Sequence, residues 1–198
     1  MKIILASNSP RRKELLGALE MDFEIRILEG IDETYPQGLT MTGIPEHISS
    51  KKASAYALAD DELLIAADTI VYLDGQVLGK PANAKEACAM LRKLSGKTHQ
   101  VITGVTLRTV DRTHTFSCVT EVTFTHLTDE QIKHYVGTYA PFDKAGAYGI
   151  QEWIGYVGVT RINGSYYNVM GLPVQRLNQE LNAFINNESN PYVDNLIY

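Results

Sequence analysis

The sequence predicts an α/β fold: a mixed, twisted sheet with flanking helices. Three observations carry that expectation. Strand and helix signals alternate over the first third of the chain. The middle segment "THQVITGVTLRTVDRTHTFSCVTEVTFTHL" is rich in Thr and Val with alternating polarity, as two long antiparallel strands would be. Hairpin-type turn pairs stand at Asp74-Gly75 and Asn163-Gly164. A length of 198 residues, 44% hydrophobic and 21% charged, suits one globular domain over residues 1–187, with room for two lobes around a cleft, and a tail at 188–198.

The elements follow in order. Ile3, Ile4 and Leu5 make a short apolar run, so a strand is expected at Lys2–Ala6. A helix is expected at Pro10–Leu19. Ser9 is a good N-cap, Pro10 suits the first helical position, and Leu15, Leu16 and Leu19 supply an apolar stripe. A second strand covers about Phe23–Leu28. The polar loop "EGIDETYPQGLTMTG" then leads to a helix at about Ile44–Ala59. "ELLIAADTIVYLDGQVLGKP" holds a strand, the Asp74-Gly75 turn and a return strand. "AKEACAMLRKLSG" is a helix ended by Gly96. After the two long strands, Thr128 and Gln131 form a capping box that opens another helix. Asn163-Gly164 predicts a hairpin turn within "GYVGVTRINGSYYNVMG". Leu172–Asn187 closes the domain with a helix, and little in the tail from Glu188 would order it.

Composition excludes several classes. A formal net charge of −5 leaves no broad basic field for a nucleic-acid polymer, so any anion site must be local. Cys88 and Cys118 lie far apart without metal-ligand spacing, and read as core or near-core thiols of a reducing compartment. At the amino terminus only a few apolar residues precede polar and basic ones, unlike a secretory signal. No apolar run approaches the length of a membrane span. The expected location is the cytoplasm, away from membranes.

The stretch "ILASNSPRRKELL" is the first candidate site. Ser7, Ser9, Arg11 and Arg12 sit where a strand ends and a helix begins. Free backbone N–H groups, the positive end of the helix dipole and guanidinium forks together suit phosphate oxygens. The plainer reading is a cap followed by two solvated arginines. Against it, cations at a helix N-terminus oppose the macrodipole and need a compensating anion. Asp68 in "LLIAADTIV" is a carboxylate in an apolar run, and such a group must be paired, hydrogen-bonded or bound to a metal. The ordinary alternative is a strand-end aspartate capping a turn. Glu33 lies in the polar stretch "GIDET", a weak signal alone. Lys80 in "LGKP" has its backbone held between Gly79 and Pro81, though an exposed turn lysine would look the same. On the second helix, Ile48, Lys52, Ala55 and Ala59 follow one face, so Lys52 points inward or toward a cleft while Lys51 is solvated.

Carboxylates of this kind suit Mg2+ or Mn2+, and the cations suit a polyphosphate. No GxxxxGK[ST] loop, GxGxxG turn, GxSxG elbow or HExxH helix is present. Metal-assisted phosphoryl chemistry on a nucleotide, with a loop of another type, remains.

"LASNSPRRKELL", "DET", "KKA", "AADTIV", "GKP", "SGKTHQVITGV", "DKAGAYGIQ" and "NVMGLP", in this order, resemble the Maf family of nucleoside triphosphate pyrophosphatases, from about Ile3 to Leu181. The resemblance implies a mixed-sheet α/β fold with two lobes around a cleft, similar to the inosine triphosphate pyrophosphatases (the Maf/Ham1 fold). It implies hydrolysis of a nucleoside triphosphate to the monophosphate and pyrophosphate with a divalent metal, and usually a homodimer. Asp68 matches the family's essential aspartate, as base or metal ligand. Glu33, Lys52 and Lys80 match the family's other catalytic cleft residues, and Glu33 is the further choice for a metal ligand. The Ser-Pro-Arg-Arg loop would hold the triphosphate. Arg11, Thr69 and Gln151 match the branch acting on dTTP and UTP, or on modified pyrimidine nucleotides. The branch acting on 7-methyl-GTP carries an aromatic residue, Gln and Glu there. A Gln151 amide offers a donor and an acceptor, as the pyrimidine O4 and N3–H edge requires. Glu152 and Trp153 depart from the family, which often has glycine after Gln151, and the tail has no counterpart. A rival class is a non-catalytic regulator of septum formation, since family members are linked to arrest of cell division. Such a binder would not need Asp68, Glu33, Lys52 and Lys80 together.

Overall fold

The structure, a computed structural model, describes residues 1–187, and the expected tail lies outside them. The strands are β1 (Lys2–Leu5), β2 (Phe23–Ile25), β3 (Glu62–Leu73), β4 (Gln76–Leu78), β5 (Thr98–Arg108), β6 (Thr113–Phe124) and β7 (Val159–Asn163). The helices are α1 (Pro10–Gly17), α2 (Gly43–Ser54), α3 (Ala84–Leu94), α4 (Asp129–Tyr139), α5 (Trp153–Gly158), α6 (Tyr166–Met170) and α7 (Val174–Asn186). The strands pair in the order β2-β1-β3-β5-β6-β7, with β4 on β3. β1 runs parallel to both β2 and β3, whereas β3–β4 and β6–β7 are antiparallel. Hydroxyl pairs Thr106–Thr115 and Thr98–Thr123 mark the constant register of an antiparallel β5–β6 hairpin. The sheet is therefore mixed, as the sequence predicts.

Contacts divide the chain into two compact units. One contains residues 1–68, 103–118 and 171 onward; the other contains 69–102 and 119–170. In the first unit, Ile4, Ala6, Ala53, Tyr56, Leu64 and Ala66 form a buried cluster against which Ile31 and Leu58 pack. Each large apolar side chain so buried is worth about 1.5–3 kcal/mol. β5 lies close over the start of α2: a Cβ on Gly104 would fall 2.4 Å from the Pro45 carbonyl carbon, so only glycine fits. In the second unit, the rings of His99, Phe124 and Tyr148 meet edge to face at 5.0–5.4 Å, with Tyr135 and Ile154 also buried.

Local chemistry explains most boundaries. Ser9 caps α1 by accepting from the Arg12 N–H at 3.5 Å, with Pro10 at the first helical position. Asp74 and Gly75 both adopt positive φ, +50° and +82°, the two-residue turn that joins β3 to β4. Thr128 and Gln131 form the expected reciprocal capping box on α4. Asn163-Gly164 differs: the turn forms after β7, but a helix follows rather than a returning strand. The Ser165 hydroxyl accepts from the Asn168 N–H at 3.3 Å, and the Thr120 hydroxyl accepts from the Ser165 N–H at 3.0 Å. That cap starts α6 where a second strand would begin.

Candidate active site

β1 and β3 are paired in register as far as Leu5 and Ile65. Beyond that point the two chains separate, one into the Ser7–Ser9 turn and the other toward Asp68. The space past the carboxyl ends of parallel strands is the usual ligand position in α/β sheets. β3 is fully buried from Glu62 to Ala67, and its burial relaxes at Asp68 and Thr69. The carboxylate thus sits where the strand's burial first relaxes.

Lys52 reaches it from α2. Its Nζ donates to Asp68 Oδ1 at 2.7 Å and lies 2.9 Å from Glu33 Oε1. The Lys52 and Asp68 side chains are 14% and 13% exposed, and Glu33 is 50% exposed. One ammonium therefore bridges two carboxylates, and one of those remains open to solvent. The sequence-based face assignment holds: Lys52 turns inward, while Lys51 sits further out and pairs with Asp32 at 2.6 Å.

α2 is fixed at both ends. Arg108 Nη1 donates to the carbonyls of Ala53 and Tyr56, capping the helix C-terminus. Near its start, Ser117 donates to Glu46 Oε1 at 2.5 Å, and Ser49 and Thr106 share a buried hydroxyl contact of 2.9 Å. The Glu33 loop is held as well. Tyr56 Oη bonds the Leu28 N–H and the Arg26 carbonyl upstream of it. Asp32 accepts from the Thr34 N–H and hydroxyl and from Lys51, which together hold its carboxyl well below the usual range.

Ser7, Ser9, Arg11 and Arg12 belong to the same unit. Arg12 is half-buried; its Nε donates to the Gly171 carbonyl at 2.8 Å, and its Nη1 to the Ala67 carbonyl at 2.9 Å and to Ser7 Oγ at 3.5 Å. Burial lowers the Arg12 pKa, and the Asp68 carboxylate opposes that shift. The guanidinium stays charged in any case. Arg12 is thus a brace as well as an anion-binding candidate, since it ties the loop after β1 to the residue before Asp68.

The other predicted residues lie in the second unit. Thr69 follows Asp68 and is half-buried. Lys80 is exposed, between Gly79 and the buried Pro81; the Gly79 carbonyl accepts from the Gly146 N–H at 3.1 Å. That bond joins the Lys80 turn to the segment leading to Gln151. Gln151 is half-buried, and its Oε1 is buried without a hydrogen-bond partner among the described residues. Beside it lies a group that no local pattern points to. Lys144 is buried and its Nζ lies 3.1 Å from Glu152 Oε1, while Tyr135 donates to Glu152 Oε2. Glu152 stood out only as a departure from the family pattern.

Two carboxylates and three basic side chains, Lys52, Arg11 and Arg12, give the first unit a net positive site next to acceptor oxygens. This suits an anion that must be both held and attacked. Glu33 and Asp68 are hard oxygen donors, and among the described residues no group of three or more His, Cys, Asp or Glu gathers to hold a metal. A two-carboxylate set fits Mg2+ or Mn2+, which commonly take one or two carboxylates and complete their shell with water and phosphate oxygens.

Comparison with known proteins agrees with these motifs. The dTTP/UTP pyrophosphatase of Phocaeicola vulgatus is 62% identical over 182 residues, covering 91% of this chain and 94% of that one. The protein of the same name from Parabacteroides distasonis is 58% identical over 185 residues, covering 92% and 96%. The Staphylococcus aureus Ham1 protein structure is a looser match, with 17% identity, a TM-score of 0.47 and coverage of 63% and 72%. The family model described as Maf-like protein matches residues 2–184, a span that takes in every residue placed above. The carboxylates of Asp68 and Glu33 bridged by Lys52 and the arginine loop after β1 are thus features of a chain that belongs to the Maf-like protein family.

Proposed function

We propose that this protein is a nucleoside triphosphate pyrophosphatase that hydrolyses dTTP and UTP, and modified pyrimidine nucleotides with the same edge, to the monophosphate and pyrophosphate. The observation that carries the reading is the Asp68–Lys52–Glu33 bridge, beyond the stretch of β3 that pairs with β1. The names of the relatives support the substrate class.

Water attacks the α-phosphorus, the bond from that phosphorus to the bridging oxygen breaks, and pyrophosphate leaves with the electron pair. Lys52 fixes Asp68 through Oδ1, and Oδ2 receives the proton of the attacking water. Arg11, Arg12 and Lys80 neutralise charge gathering on the leaving pyrophosphate. Glu33 and Asp68 would hold the divalent cation, which when bound acidifies water and draws charge from the phosphates. Gln151 selects the base: its unpartnered Oε1 accepts from the pyrimidine N3–H, and its amide N–H donates to O4.

The thiol state of Cys88 and Cys118 supports a reducing, cytoplasmic location, and no helix among the described residues is long and apolar enough to cross a membrane. A homodimer is proposed from the resemblance, and light scattering on the eluted protein checks it. The central test is pyrophosphate release from a nucleotide panel with Mg2+ or Mn2+, for the wild type and Asp68→Asn. Release from UTP and dTTP that Asp68→Asn removes is expected. Absence of release from every nucleotide, with intact binding, would leave a regulator instead.

A further inference from the structure

We infer that the Lys144–Glu152–Tyr135 network positions the Gln151 amide, and so sets base selectivity without touching the substrate. The inference rests on the reading of Gln151 given above and adds three positioning residues to it.

All of these groups lie in the second unit. Lys144 Nζ bonds Asp143 Oδ1 at 2.7 Å and lies 3.1 Å from Glu152 Oε1. Tyr135 donates its hydroxyl to Glu152 Oε2, and the same hydroxyl oxygen accepts from the Gly149 N–H at 3.0 Å. The Glu152 N–H returns to the Gly149 carbonyl at 3.0 Å. Gln151 is therefore carried in a four-residue turn, Gly149–Glu152, with both ends tied to the Tyr135 phenol, one by the Gly149 N–H and the other by the Glu152 carboxylate.

Steric fit tightens the turn further. A Cβ on Gly149 would lie 2.8 Å from Glu152 Cδ and 3.1 Å from Lys144 Cε, and one on Gly155 would lie 1.8 Å from the Ile150 carbonyl oxygen. Burial and the neighbouring carboxylate push the Tyr135 phenol well above its ordinary pKa, so it stays a donor. Burying a lysine against a half-buried glutamate carries a desolvation cost that apolar packing would avoid. The network returns a fixed direction for the residue next to Glu152. The buried, unpartnered Oε1 of that residue is the group whose direction matters, because a base edge is discriminated only when the partner is held in place.

The test measures kcat/KM for UTP and GTP in Gln151→Ala, Glu152→Ala, Tyr135→Phe and the double variant Gln151→Ala/Glu152→Ala. Glu152→Ala should lower the UTP:GTP ratio about tenfold, mainly by raising KM for UTP, with kcat within about threefold. Tyr135→Phe removes one oxygen and should lower the ratio by about threefold; it supplies the result should Glu152→Ala not fold. The double variant should match Gln151→Ala alone, because a positioning residue has nothing left to position. A wild-type ratio in Glu152→Ala or, failing that, Tyr135→Phe, with a collapsed ratio in Gln151→Ala, overturns the network's role and leaves the Gln151 reading intact. A double variant well below Gln151→Ala also overturns it. A wild-type ratio in Gln151→Ala overturns the base reading and this inference together.

Discussion

An ammonium 2.7 Å from Asp68 and 2.9 Å from Glu33 screens two carboxylates from each other. Replacing Lys52 by Met leaves that repulsion in place and removes a cation, so kcat/KM should fall by about tenfold or more while the circular-dichroism spectrum is kept. Asp68→Asn keeps shape but removes the proton acceptor, and turnover should fall at least about a hundredfold. Turnover within a few-fold of wild type would end the assignment of Asp68. Gln151→Glu sets an acceptor against pyrimidine O4 and should cut UTP activity about tenfold or more in the same nucleotide panel. At this scale the sequence was most legible where a residue broke its surroundings: Asp68 is the charge in an apolar run, and Lys52 is the cation on an apolar face. Lys51, Arg108 and Tyr135 were not legible in these roles. Their partners, Asp32, the Ala53 and Tyr56 carbonyls and Glu152, lie 17 to 55 positions away, and local pattern carries no such pairing.

Elements were legible where the signal is local. The caps at Ser9 and Thr128 and the Asp74-Gly75 turn involve neighbours only, and each forms where it was expected. α5 and α6 were missed because short helices offer no periodicity, and α6 depends on a Thr120–Ser165 bond across 45 positions. The approach of β5 to α2 is likewise tertiary. It makes Gly104→Ala a sharp probe, since the added methyl would meet Pro45 backbone that cannot swing aside. Overpacking of this kind costs about 1–3 kcal/mol, and α2 would move Lys52 with it. Thermal unfolding should show a lower midpoint, and pyrophosphate release should fall further than the stability loss explains. An unchanged midpoint would mean that β5 and α2 have slack. By contrast Asn83→Ala, which removes the side-chain cap on the Glu86 N–H of α3, should cost about 1 kcal/mol and leave kcat alone.

For the molecule as a whole, acid is the informative stress. Burial pushes His99 from 6.5 down to about 4, so the folded state holds it neutral while the unfolded chain protonates it near 6.5. Stability is then lost as pH falls from about 6.5 to about 4, by at most about 3 kcal/mol. Glu62, lowered to about 2 by the paired hydrogen bonds from Arg26, adds a second loss as pH falls from about 4.5 to about 2. Urea unfolding at about pH 7 and about pH 4.5 should show the first loss, and His99→Gln should flatten it; equal midpoints at both pH values would contradict it. The single hydrogen bond from Arg12 Nε to the Gly171 carbonyl has a different kind of consequence, one of timing. The two residues are 159 positions apart, and Arg112 and His114 likewise find Phe184 and Glu180 72 and 66 positions later. A ribosome adds about 5–20 residues each second and keeps the newest ones inside its tunnel. For most of its synthesis the nascent protein therefore displays the loop after β1 without the carbonyl that braces Arg12, and the candidate anion site gains that brace only once the segment carrying Gly171 has emerged.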